Sequence, residues 1–283
     1  MLLVFSATLL IVSMQHSIEG AHNPQIAITT SGTINLRRLI VGVDYWAGFT
    51  VSYFLNRDLP FLKEIGVRYV RLEFGPWSEG NLATLIPAIT ENGIEVIGVL
   101  MRKDLVGNIS AWGDWIYNTI SVYNDEVKVW EIWNEANWGT GFQDDPSGYT
   151  KVLKMAYTKA KQADPNCTIL GGSILGTQDA SLNYLRSMYD DGAKDYMDAV
   201  SIHPYCGPNP PEYPHTNSWP SGFWKLQYVR DLMVECGDES KKIWVTEMGW
   251  NTGNDTTSVT EQEQADYLMR ALEMGQSWRW LQG

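Results

Sequence analysis

The sequence predicts an α/β fold of the (β/α)8 barrel type, on three observations. Short runs rich in Val, Ile, Leu and aromatic residues alternate with amphipathic segments of helical length along the chain. Several of these runs are apolar at almost every position, as suits a strand covered on both faces of a parallel sheet. Two of them lead directly into a glutamate, at Trp133-Asn134-Glu135 and at Val245-Thr246-Glu247. The C-terminal ends of barrel strands are where such folds carry their chemistry.

The elements follow in order. Residues 39–45 read as the first strand, and residues 51–65 as a helix interrupted at Pro60 and closed by Gly66. Residues 67–74 form the second strand, 81–91 a helix ending at Asn92-Gly93, and 94–101 the third strand. Ser110 is placed to cap a helix over residues 111–123. The fourth strand spans 127–133, and Asp145-Pro146 opens a helix over 147–164 with proline in its first turn. Residues 168–172, 197–203 and 242–246 read as strands five, six and seven. Helices are expected over 181–190, over 223–236 after a Pro-rich loop, and from Glu261 to about Gly275 with Thr260 as its cap. Such alternation means βαβ units and a parallel sheet. About seven units in succession favour a barrel over a doubly wound sheet. An eighth strand should follow Gly275, yet only residues 276–283 remain. The barrel is therefore expected to be truncated before or at strand eight, with Trp278 or Trp280 as candidates to begin it.

At 283 residues and 44% hydrophobic content the chain can bury a large core. Residues 36–283 are expected to form a single barrel domain. A net charge of −12 argues against nucleic acid and against an anionic membrane surface, both of which attract basic patches. A neutral sugar is compatible with it. Thirteen Trp and 14 Tyr fill a core for the most part, but some can stack on pyranose rings in a groove. Cys167, Cys206 and Cys236 have no metal-binding spacing and are expected as free buried thiols. If one pair were to bridge, Cys206 and Cys236 flank a common loop and helix. The four histidines, His16, His22, His203 and His215, do not group into a metal site with carboxylates. Neither a serine-hydrolase elbow nor a dinucleotide fingerprint is present, so no cofactor is expected. Residues 2–14 form an apolar run too short to span a bilayer, and Gly20-Ala21 offers small residues for cleavage. Residues 1–21 are therefore expected to be a signal peptide, and the protein secreted or extracytoplasmic without a transmembrane span.

Glu135 and Glu247 end strands four and seven, which face each other across the mouth of a closed barrel. A carboxyl pair flanking a sugar bond is what glycoside hydrolysis requires. Glu131 shares the strand parity of Glu135 and is expected one layer deeper, paired with an inward Arg or Lys. Glu73 is a further candidate near the mouth.

At this point the motifs resemble a known group. Trp133-Asn134-Glu135 and Thr246-Glu247 resemble the acid/base and nucleophile motifs of the large clan of retaining glycosidases on TIM barrels, which includes cellulases, mannanases and xylosidases. Val70-Arg71-Leu72 resembles that clan's strand-two arginine, and Ser201-Ile202-His203-Pro204-Tyr205 its strand-six His and Tyr. The resemblance covers residues 39 to about 275. It implies Glu135 as general acid/base and Glu247 as nucleophile, with Asn134 bonding the sugar 2-OH. Arg71 would keep Glu247 ionised, Tyr205 or His203 would donate to the same site, and the neighbouring charge would hold Glu135 protonated. Trp138 and Trp250 follow the glutamates and are read as sugar platforms, with core or rim packing as the other reading. The implied substrate is a polysaccharide or oligosaccharide, with β-linkages favoured. The chain departs from the clan at Ala136, where proline is frequent, and at strand eight, where members commonly carry a tryptophan beside the cleaved bond. The other reading of the whole chain is a non-catalytic carbohydrate-binding barrel or an inactive truncated remnant.

Overall fold

The computed structural model describes residues 40–45, 50–139, 141–213 and 220–283. The signal peptide expected over residues 1–21, the first residue of the expected first strand, Leu39, and His215 lie outside them. Seven parallel strands pair in chain order to form one curled sheet. They are β1 (Gly42–Tyr45), β2 (Tyr69–Phe74), β3 (Glu95–Leu100), β4 (Val129–Ile132), β5 (Thr168–Leu175), β6 (Ala199–His203) and β7 (Lys242–Val245). Each hands over to helix before the next begins.

The first connection is α1 (Val51–Tyr53), a π-helical stretch (Phe54–Asp58) and α2 (Leu59–Ile65). The widened turn ends at Asp58, two residues before Pro60, which falls in the first turn of α2. Gly66 closes the helix at φ 72°, a left-handed value that glycine adopts without strain. The remaining helices are α3 (Glu79–Glu91), α4 (Ile109–Tyr123), α5 (Pro146–Ala163), α6 (Asp179–Asp190), α7 (Leu226–Glu235) and α8 (Glu261–Ser277). Asn108, not Ser110, caps α4: its side chain accepts from the amide of Ala111. Asp145 caps α5, and Thr260 with Glu263 forms a capping box on α8.

The large core cluster lies between the sheet and its helices, with Phe74, Ile86, Trp112, Trp130 and Leu153 all buried. A second, small cluster of Tyr69, Ile97, Val129, Leu170, Ala199 and Trp244 fills the concave side. Strand alternation then points Arg71, Glu131, Ser201, His203 and Thr246 to that same concave side, one or two layers further toward the C-terminal ends. The polar groups of the site thus stand on an apolar floor. All three cysteines are free thiols, so Cys206 and Cys236 are not bridged.

The seam between β7 and β1 is the irregular part. Leu281 makes a parallel bridge to Ile243. Gln282 donates its N–H to Ile243 O at 2.9 Å, Val245 N–H donates to Gly283 O at 2.8 Å, and Ile40 N–H donates to Gln282 O at 3.1 Å. Residues 281–283 therefore occupy the beginning of the eighth strand position and touch both neighbours. Neither tryptophan begins that strand: Trp278 caps α8, and Trp280 stacks on it with ring centroids 4.8 Å apart. Next to Gly283 a small cleft of ≈ 60 Å³ remains between β1 and β7, lined by Val43, Asp44, Arg71 and Thr246 among others.

Candidate functional site

Glu135 is aimed by its backbone. β4 ends at Ile132, so strand parity does not orient a residue three positions later. Instead, Trp133 and Glu135 adopt left-handed φ values of 76° and 48°. Such conformations cost an L-residue about 1–3 kcal/mol and persist only where the surroundings enforce them. Here they do. Trp133 is fully buried, edge-on to Phe142 at 5.0 Å and Trp112 at 6.0 Å. Tyr149 of α5 donates its hydroxyl to Ile132 O at 2.7 Å and accepts from Gly172 N–H at 3.0 Å, pinning β4 to β5. Glu135 N–H donates to Ser173 Oγ at 3.2 Å, and Ala136 N–H to Ser173 O at 3.3 Å. Ser173, itself at φ 45°, sits on an irregularity in the β5–β6 register between Gly171 and Ile174. A bulge re-aims a side chain in this way, and here it brings Ser173 beneath the turn that carries Glu135.

Arg71 is the charged hub. Buried on β2, it donates from Nε to Glu131 Oε2 at 2.6 Å, from Nη1 to Glu247 Oε1 at 2.6 Å and to Asp44 Oδ1 at 2.9 Å, and from Nη2 to Asn134 Oδ1 at 2.9 Å. The Asn134 carbonyl is thereby committed and its NH2 is left to donate. Tyr205 donates its hydroxyl to the other Glu247 oxygen at 2.9 Å. Burial opposes charge on Glu247, but His203, Arg71 and the Tyr205 hydrogen bond outweigh it and hold its carboxyl below the usual range.

His203 is fully buried between the two glutamates. Its Nδ1 lies 3.2 Å from Glu135 Oε1 and 3.7 Å from Glu247 Oε2, and its Nε2 lies 3.0 Å from Thr246 Oγ1. Burial disfavours the charged ring, yet the Glu247 charge and hydrogen bonds with Glu131 and Glu135 raise it to about 10. Glu131 is the inward carboxylate expected to pair with a cation, and it does so with Arg71. Glu135, His203 and Glu247 each bring a ligand-type atom within 4.8 Å of the others. That size would admit a metal ion, but His203 and Glu247 are already committed to Thr246, Arg71 and Tyr205. The chemistry on offer is that of two carboxyls, one of them bound to Arg71, around a buried imidazole.

Six of the residues singled out in the sequence thus converge: Arg71, Asn134, Glu135, His203, Tyr205 and Glu247. Trp138, three residues past Glu135, is 58% exposed. Trp250 is a correction: it is 2% exposed, packs edge-on to Tyr267 and donates to Asn209 O at 2.8 Å, so it has no open face for a sugar. Glu73 accepts from the indole of Trp77, a 45% exposed tryptophan that carried no sequence motif. Asp44, Ser173 and the role of Thr246 were also missed. Only Thr246 had a sequence signal, its place before Glu247.

No protein-family model and no curated protein matches the sequence. Solved structures do match. A family 39 glycoside hydrolase from the gut symbiont Bacteroides cellulosilyticus superposes with a TM-score of 0.67 at 21% identity, over 86% of this chain and 55% of that one. A monomeric β-xylosidase from Caulobacter crescentus gives 0.63 at 18% identity, over 87% and 58%. A glucosidase from Croceicoccus marinus gives 0.62 at 14% identity, over 83% and 56%. The chain therefore shares the fold of these glycoside hydrolases and spans a little over half their length.

Proposed function

We propose that this chain is a retaining glycoside hydrolase that cleaves β-linked sugars by double displacement, with Glu247 as nucleophile and Glu135 as acid/base. One observation carries the reading: the two carboxyls come within 4.8 Å of each other, around the buried His203. Retaining enzymes keep their pair at roughly 5–5.5 Å, whereas inverting enzymes leave room for a water between.

The division of labour follows from the surroundings. Arg71 and Tyr205 hold Glu247 as an oriented anion, ready to attack the anomeric carbon. Glu135, whose Oε1 lies 3.2 Å from His203 Nδ1, protonates the departing oxygen and then takes a proton from the water that cleaves the glycosyl-enzyme. Once the ester forms at Glu247, one negative charge leaves the site, which favours the base role of Glu135 in the second step. The NH2 of Asn134 is placed to donate to a sugar hydroxyl beside the reacting carbon. Trp138, 58% exposed and three residues past Glu135, is the candidate for stacking on a sugar. The sheet, with residues 281–283 at the eighth position, supports a barrel of the (β/α)8 type.

The β-xylosidase and glucosidase neighbours support a β-glycoside of neutral sugars, oligomeric or polymeric, as substrate. The net charge of −12 agrees with that and not with nucleic acid. Among the described residues no helix is long and apolar enough to cross a membrane. The apolar run over residues 2–14 supports export. The test is hydrolysis of aryl β-xylosides and β-glucosides, with both Glu135→Gln and Glu247→Gln expected to abolish turnover. Measurable glycan binding without hydrolysis by the unaltered protein would instead make this a binding barrel. An NMR time course should show the β-anomer first; early α-anomer would contradict double displacement.

A further inference from the structure

The buried side of His203 carries a hydrogen-bond chain whose directions can be assigned. Glu131 is fully buried against the Arg71 guanidinium, which keeps it an anion and therefore an acceptor only. Thr246 donates its single hydroxyl proton to Glu131 Oε1 at 2.7 Å. Its oxygen can then only accept from His203 Nε2, 3.0 Å away. Nε2 thus bears a hydrogen, and Nδ1 faces Glu135 as the ring position that gains or loses a proton. A proton on the Glu135 side can sit on the carboxyl oxygen or on Nδ1, 3.2 Å apart.

From this geometry we infer that Thr246, acting through His203, is a positioning residue that sets the pH range over which Glu135 can deliver its proton. The inference rests on the acid/base role proposed for Glu135. Before bond cleavage one proton is shared between Nδ1 and Glu135. It ends on the leaving oxygen, with Glu135 ionised and His203 neutral with hydrogen on Nε2. In the second step the water's proton returns to the same pair, so the protons balance over the cycle. The charged and titratable groups that face the ring come from every side: Glu131 from β4, Glu135 from the turn after it, Glu247 from beyond β7, Tyr205 from beyond β6, and Arg71 with Asp44 from β2 and β1. Thr246 is the hydroxyl that reaches Nε2 and thereby decides which nitrogen is left for the acid.

The experiment compares Thr246→Val, which keeps the shape and removes the hydroxyl, with Thr246→Ser, which restores it. In Thr246→Val the alkaline limb of kcat/KM should fall by about one pH unit, as loss of one hydrogen bond to a charged ring implies. The loss should be at least about tenfold greater for an aryl glycoside with a poor leaving group, which needs the acid, than for a dinitrophenyl glycoside, which does not. Thr246→Ser should return both readouts to those of the unaltered protein. A parallel nitrogen-15 NMR spectrum of the histidine rings, with the His203 signal identified by its loss in His203→Gln, should show Nε2–H in the unaltered protein and a changed tautomer or charge in Thr246→Val. Unchanged limbs and an unchanged ring spectrum in Thr246→Val would overturn the inference, as would a serine variant that behaves like the valine one. The NMR arm does not depend on turnover. If no aryl glycoside is hydrolysed, the proposed activity fails, while the spectrum still decides whether Thr246 governs the His203 ring.

Discussion

At the scale of single residues, the site is a charge network with Arg71 at its centre, and its stability depends on every partner being present. Arg71 meets Glu131, Glu247 and Asp44, and Glu131 has no exposed side-chain surface. Removing one partner of a buried pair leaves the other uncompensated, which costs about 3–5 kcal/mol. Arg71→Met should lose about that much in urea denaturation. Adding Glu131→Gln should recover part of it, so the pair should fail additivity by about 1 kcal/mol or more. A strictly additive cycle would mean that the two do not stabilise each other. The same network fixes the pH dependence. Glu131 and Glu247 sit below the usual 4.5, so their stabilisation is present above that value and is lost as pH falls through their folded values. His203 is raised from 6.5 to about 10, so its contribution is complete below 6.5 and is lost as pH rises through 10. The urea midpoint should therefore be highest between about pH 5 and 6.5 and decline toward pH 10. His203→Gln should remove most of the alkaline decline; an equally steep decline in that variant would contradict the assignment.

At the scale of elements, the turn after β4 and the bulge in β5 form one device. Tyr149 ties them through a single hydroxyl that bonds both the last β4 carbonyl and the Gly172 amide. Tyr149→Phe keeps the buried ring but leaves those backbone groups unsatisfied, a loss of about 1–3 kcal/mol. Because the turn carries Glu135, kcat on an aryl glycoside should fall with stability, whereas Thr260→Ala at the distant cap of α8 should cost about 1 kcal/mol and leave kcat unchanged. A Tyr149→Phe variant with normal kcat would separate the turn from the chemistry. This device also shows what sequence can convey. The strands were legible because burial on both faces demands apolar runs, and Asp145, Gly66 and Thr260 were legible because caps have few chemical solutions. Glu131 and the two glutamates were legible because isolated charges in apolar runs need a purpose, and Arg71 through its resemblance to the clan's strand-two arginine. The left-handed turn was not, since Trp133, Glu135 and Ser173 are ordinary residues forced into that conformation by contacts from α5 and β5. Nor was the fate of Trp250, because an indole three residues past Glu247 looks the same whether a sugar or Tyr267 covers it. Ser110 and Asn108 offer equivalent capping chemistry two residues apart, and only the start of the helix decides between them.

At the scale of the whole molecule, the curl of the sheet is held at its open seam by a short segment. β1 meets no β7 residue in a strand ladder; the two are joined through residues 280–283, whose carbonyls accept from Ile40, Ile243 and Val245 and whose Gln282 amide donates to Ile243. Leu281 is 3% exposed and anchors this segment in the core cluster. The seam matters to the site because Arg71 and Thr246 line the cleft beside it, and Asp44 reaches Arg71 from β1. If the segment holds the ends of the sheet together, Gln282→Pro should loosen both at once, because proline removes the donor to Ile243 and disturbs its own carbonyl's acceptance from Ile40. Hydrogen exchange should then quicken at the amides of Ile40, Ile243 and Val245 together, while Trp133 N–H, bonded to Leu100 O across the sheet, keeps its protection. The same variant should reduce kcat, since a β1 that drifts carries Asp44 away from the guanidinium that orients Glu247. Loss of protection at Val245 alone, with Ile40 unaffected, would show that β1 is held by its pairing with β2 and that the seam does not close the sheet.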